Sequence, residues 1–154
     1  MSDPTRIVAD ADVLAADLCC GGPAREALDS VRAHSWLTLV ASDALLDDAQ
    51  VVIENLADEA LASDWRDRID RTVERVGHPA GDHPGLASAY HGEAAHLLTF
   101  EESLRSAKTG LSLQPHAQLS VRSPAAFVAV FNPAPLYEAS HDSTYPGPDT
   151  DPRS

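Results

Sequence analysis

GDHPGLASAYHGEAAHLLTFEESL, from Gly81 to Leu104, carries the alternation on which the fold turns. Its first residues, with the preceding His78–Ala80, form a loop rich in Pro and Gly. A helix of small residues then runs from Pro84 to His91, and Ala95–Thr99, AHLLT, reads as a short buried strand. Asp82 stands at the start of the helix and Glu101 just past the strand, so one helix–strand unit carries a carboxylate at each end. Clustered carboxylates are costly unless something cationic meets them, and this raises the question of what other acids the fold brings beside these two.

The same alternation recurs along the rest of the chain. Arg6–Asp10, RIVAD, is a β-branched run that predicts a first strand. Helices are predicted over Asp12–Leu18 and, opened by Pro23 in the first turn, over Pro23–His34. Trp36–Ala41 reads as a second strand, and Ser42 caps a helix whose apolar stripe includes Leu45, Ala49, Val52 and Leu56. Ser63–Val76 reads as one further helix with alternating Arg and Asp on its outer face. Glu101–Lys108 is predicted helical, Gln118–Arg122 is predicted as a last strand, and Ser123-Pro124 opens a helix through Phe131. Strands alternating with helices predict an α/β domain, a three-layer α/β/α arrangement on a mainly parallel sheet of four to five strands. Residues 1–136 form this domain in the reading. The segment 137–154, rich in Pro, Asp, Ser and Thr, is expected to be disordered.

Composition narrows the class. The chain has 154 residues, 24 acids against 11 basic residues and a formal net charge of −13. Lys108 is the one lysine, and Asp outnumbers Glu. Acidic, Lys-poor, Ala- and Asp-rich composition resembles that of extreme halophiles, in which screening by salt relieves self-repulsion. No apolar run is long enough to span a membrane, and the N-terminus lacks the pattern of a signal peptide, so a cytoplasmic protein is expected. Adjacent Cys19 and Cys20 make neither a zinc site nor a framework disulfide. His78, His83, His91 and His96 do not follow a zinc-binding spacing, and His83 and His91 read as flanking a loop and a helix surface. Trp36 and Trp65 read as packing residues.

In a parallel sheet, ligands collect at the carboxyl ends of the strands, which is where Asp10, Asp48, Asp82 and Glu101 are predicted to lie. With these positions in view the chain resembles PIN-domain proteins from Arg6 to about Phe131. RIVADADVL resembles the opening strand of that family, SDALLDDAQVVIENL its second block, GDHPGLASAYHGEAAHLLTFEESL its third and fourth, and SVRSPAAFVAVF its closing strand and helix. The last acid is Glu101 where the family usually has Asp, and Asp12 replaces an asparagine of the first block. The resemblance implies a metal-dependent ribonuclease. It also implies a homodimer, and a toxin-like role with an antitoxin-type partner is a sub-case.

The chemistry of the residues agrees with that implication. Clustered carboxylate oxygens suit Mg²⁺ or Mn²⁺, and such ions activate water and neutralise phosphate. Asp10, Asp48, Asp82 and Glu101 are the expected metal ligands and catalytic acids, with Asp47 as the alternative to Asp48. Ser42, Thr99 and Asp12 are expected to orient ligands or water. RNA binding calls for cations near phosphate, and Arg6, Arg25, Arg32, Arg75, Arg105 and Lys108 are the candidates for a local patch. Two other readings stand beside this one. The first is a PIN-like scaffold or partner-binding module without activity. The second is a haloacid-dehalogenase-like phosphatase using Asp10 and Asp12, although Lys108 follows the acidic motifs where that chemistry needs a lysine before the last of them.

Overall fold

The computed structural model describes residues 2–105 and 119–152. Five strands form one sheet: β1 (Asp3–Ala9), β2 (Thr38–Ser42), β3 (Glu74–Val76), β4 (Ala94–Leu98) and β5 (Ser120–Arg122). Their order is β3-β2-β1-β4-β5 and every pairing is parallel. Seven helices are seen among the described residues: α1 (Ala11–Cys19), α2 (Gly22–Arg32), α3 (Asp43–Leu56), α4 (Glu59–Ile69), α5 (Pro84–His91), α6 (Pro124–Val130) and α7 (Pro133–His141). A 3-10 turn covers Glu102–Arg105.

The crossovers through α1–α2 and through α3–α4 both step toward β3, whereas the connection through α5 steps back past β2 and β1 to β4. Right-handed crossovers in opposite directions place their helices on opposite faces, so the expected three layers are present. Central strands covered on both sides lose the period-two pattern, and Ile7, Val8 and Ala9 of β1 are accordingly all buried. Below α5 the packing is unusually close because its inner face is Gly85, Ala87, Ser88 and Ala89. At its end a Cβ on Gly92 would lie 2.6 Å from Val40 Cγ1 and 2.7 Å from the Ser88 carbonyl, so only glycine fits. Phe127 of α6 is fully buried, stacks on Phe131 and meets the ring of His96 edge-on. Burial, and secondarily Arg122, pushes the pKa of His96 below its usual value.

Three expectations need correction. The helix predicted over Ser63–Val76 starts earlier, at Glu59 behind the Asp58 cap, and stops at Ile69. Glu74–Val76 is the edge strand β3, paired with Val40–Ser42. Here pairing with β2 overrides the local pattern, and the exposed charges of Glu74 and Arg75 are what keep a sheet edge from recruiting another strand. Of the helix expected over Glu101–Lys108, the turn at Glu102–Arg105 is seen, while Lys108 and Gln118 fall outside the described residues.

The third correction concerns the tail. The segment expected to be disordered is ordered through residue 152. Helix α7 runs to His141, and Tyr137 and His141 pack edge-on against Trp36. His34 donates from Nδ1 to the Ser30 carbonyl, so its Nε2 accepts from the Tyr145 hydroxyl at 2.6 Å. The backbone N–H groups of Asp149 and Thr150 both donate to the Ala33 carbonyl, and Ser35 N–H donates to the Asp149 carboxylate. These contacts give a polar, Pro-rich segment the partners that its composition alone does not reveal. No helix among the described residues is long and apolar enough to cross a membrane.

Candidate metal centre

Register builds the site. Ala9 of β1 lies opposite Leu98 of β4, so the residues that follow each strand, Asp10 and Thr99, meet at the carboxyl edge of the sheet. Asp10 is 6% exposed. It caps α1 by accepting from Ala11 N–H at Oδ1, and its Oδ2 accepts from the buried Thr99 hydroxyl at 2.9 Å. The same hydroxyl oxygen accepts from Glu101 N–H at 3.0 Å. One threonine thus fixes the Asp10 carboxylate and the backbone of Glu101 together.

Asp12, in the first turn of α1, accepts from Phe100 N–H at Oδ2, while its Oδ1 is buried with no hydrogen-bond partner. Burial raises the pKa of Asp12, with the Asp10 charge adding in the same direction. The fourth acid comes from α3. Asp48 lines a cavity of about 440 Å³ together with Asp10, Asp12, Glu101, Val51 and Val52. Its neighbour Asp47 points elsewhere, accepting from Arg66 of α4 at 2.7 Å, which resolves the choice between the two.

Asp82 is not brought to the cluster. It is exposed in the loop before α5 and does not line the cavity. The next residue, His83, takes that place: its Nε2 lies 3.4 Å from Glu101 Oε2 and 3.9 Å from Asp10 Oδ2. Asp10, His83 and Glu101 form a group whose ligand atoms all lie within 4.8 Å of one another. The signal for His83 was available in the sequence. Pro84 at the first helical position makes the residue before it the N-cap, and the capping side chain faces the helix end and not the loop. Gly85 admits this arrangement, since a Cβ there would lie 2.8 Å from Asp10 Oδ1.

Ser42, expected to orient a ligand, is otherwise engaged. It caps α3 through Leu45 N–H and bonds to Ser88 Oγ at 3.0 Å and His78 Nε2 at 2.8 Å. It therefore ties the loop before α5 to the end of β2 and does not line the cavity. The expected cationic patch is largely neutralised. Arg6 pairs with Glu74, Arg32 with Asp17 and Asp29, and Arg75 with Asp43 and Asp70. Arg25 spends its guanidinium on the Asp17 and Leu18 carbonyls at the end of α1. None of these arginines lines the cavity, nor does the exposed Arg105.

Fold and site together define an α/β protein with an all-parallel sheet and a carboxylate-lined cavity at the carboxyl edge of its strands. The chain belongs to a family described as one of unknown function, DUF7384, whose model matches residues 1–153. No curated protein and no solved structure matches it.

Proposed function

We propose that this chain is a PIN-like, divalent-metal-dependent nuclease that hydrolyses phosphodiester bonds in RNA. The observation that carries the reading is the buried, unpartnered Oδ1 of Asp12 in a cavity shared with the carboxylates of Asp10, Asp48 and Glu101. A buried carboxylate oxygen without a donor is costly, and a cation among four acids removes that cost. The donor set is dominated by hard oxygens, which fits Mg²⁺ or Mn²⁺. Such an ion supplies charge to a phosphoryl oxygen and activates water for attack.

The chain's own residues do the rest. Thr99 holds the Asp10 carboxylate and the backbone of Glu101, so Asp10 is preorganised as a ligand and its reorganisation cost is small. Asp48 faces them from α3 across the cavity. Val51, Val52 and Pro84 supply the apolar part of the lining. The cavity volume falls within the range of about 300–1,000 Å³ typical of small-ligand sites, room for a single nucleotide unit of an extended strand. With Arg6, Arg32 and Arg75 tied up in pairs and no arginine among the described residues lining the cavity, the ion would carry the attraction for phosphate.

Calorimetry with Mn²⁺ and Mg²⁺ in molar KCl tests the reading, alongside cleavage of a labelled single-stranded RNA. Wild type is expected to bind the ion and cut. Asp10→Asn/Glu101→Gln should lose at least about tenfold in metal affinity and lose cleavage, whereas Asp82→Asn should behave as wild type. A folded wild type that binds neither ion would overturn the nuclease reading and favour a partner-binding scaffold.

A further inference from the structure

The cavity is well made for a cation and poorly made for an anionic substrate. Of the nine described residues lining it, four are carboxylates, which accept and do not donate when ionised. Four more, Ala11, Val51, Val52 and Pro84, have no polar side-chain atom. His83 is the ninth, and its ring is the one side chain among them able to donate a hydrogen bond while the acids are ionised.

Helix α5 decides which nitrogen does so. The backbone N–H of Leu86 can only donate, and it donates to His83 Nδ1 at 3.3 Å. Nδ1 therefore presents its lone pair to the helix, and the proton of the neutral ring sits on Nε2. Nε2 is the atom that faces Glu101 and Asp10. A metal-ligating histidine has the opposite arrangement, with one nitrogen bound through its lone pair and the other donating N–H to an acceptor. His83 lies among metal-ligating groups with its proton turned toward them.

The geometry points to His83 as a substrate-binding residue that donates Nε2–H to a non-bridging oxygen of the substrate phosphate, and not as a third protein ligand of the ion. This rests on the metal-dependent reading and adds to it the group that receives the anion. The cap keeps the donor aimed inward, so it costs little ordering when substrate arrives.

Two measurements test it. Pulsed EPR on the Mn²⁺-loaded protein should show bound Mn²⁺ without a directly coordinated ¹⁴N. Titration of the Mn²⁺-loaded protein with a 5′-mononucleotide should then compare wild type with His83→Asn. Asparagine is itself a strong N-cap, so the helix start is retained while the donor no longer reaches the cavity. The variant is expected to bind Mn²⁺ within about twofold of wild type and the nucleotide at least about tenfold more weakly, the loss of one hydrogen bond to a charged group. A ¹⁴N coupling that disappears in His83→Asn would identify His83 as a ligand and overturn the inference while leaving the metal site standing. Unchanged nucleotide affinity would overturn it as well. Failure of wild type to bind Mn²⁺ would remove the metal site and this inference together.

Discussion

A Cβ on Gly85 would sit 2.8 Å from Asp10 Oδ1 and 3.1 Å from its Cγ. Asp10 is short and held by Ala11 and Thr99, so it cannot swing aside cheaply. Gly85→Ala should thus displace Asp10 or lift α5, lowering metal affinity about 10–100-fold. The fold should survive, since alanine is the better helix former by about 1 kcal/mol. Calorimetry alongside a thermal melt separates the two effects, and unchanged Mn²⁺ affinity would remove Asp10 from the ligand set. Asp12 makes a second prediction. Its folded-state pKa is raised by burial and by Asp10, so its contribution to stability is present below the unfolded value and is lost as pH rises. At neutral pH the ionised group burdens the metal-free fold. Asp12→Asn should melt higher than wild type at pH 7 without metal, and the gap should close as pH falls toward about 4. A variant that melts lower at pH 7 would show that the carboxylate has a stabilising partner. That Asp10, Asp12 and Glu101 lie beside strand ends was legible from the strand pattern, whereas Asp48, which lines the same cavity, was preferred to Asp47 on the resemblance alone. The step from Asp82 to His83 was carried by one signal alone, Pro84 marking the residue before it as the cap of α5, and a one-residue shift there exchanges a solvent-facing acid for a site-facing imidazole.

Whole elements were legible where apolar period and caps agree. Ser42 before α3 and Ser123-Pro124 before α6 both cap the helices they announce. Elements held by distant partners were not. The residues of β3 carry the charge of a helix surface and become a strand because the edge of β2 is open beside them. Helix α7 has no buried residue of its own and depends on what Trp36 offers it. Trp36 is half-buried between the end of α2 and the tail, edge-on to His34, Tyr137 and His141. A chain ending at Asn132 should therefore expose this indole. Its emission should shift to the red, with Trp65 remaining buried in the core as an internal reference. Stability should fall by about 1.5–3 kcal/mol, the worth of one large apolar side chain. Unshifted emission and an unchanged melt would show that the tail contributes no cover.

At the scale of the molecule the excess of acids is the dominant feature. Eleven cations can neutralise at most eleven of the 24 acids, leaving the net charge of −13. Two arginines illustrate the shortage. Arg66 is shared among Asp43, Asp47 and Asp70, and Arg75 between Asp43 and Asp70. Salt acts on this in two directions. It screens these exposed pairs, which are worth little individually, and it screens the repulsion among the unpaired acids, which is long-ranged and acts over the whole surface. The Debye length falls from about 10 Å at 0.1 M to about 3 Å at 1 M, shorter than the spacing over which that repulsion accumulates. Repulsion should win, so Tm is expected to rise by several degrees between 0.1 M and 2 M KCl, at about 2–4 °C per kcal/mol for a chain of this size. Asp64 and Asp67 are exposed on α4, and Asp64→Lys/Asp67→Lys lowers the negative charge by four. The double variant should melt higher than wild type at 0.1 M KCl and respond less steeply to added salt. A wild-type Tm that falls with KCl would mean instead that the shared arginine pairs, and not the unpaired acids, govern the electrostatics of the fold.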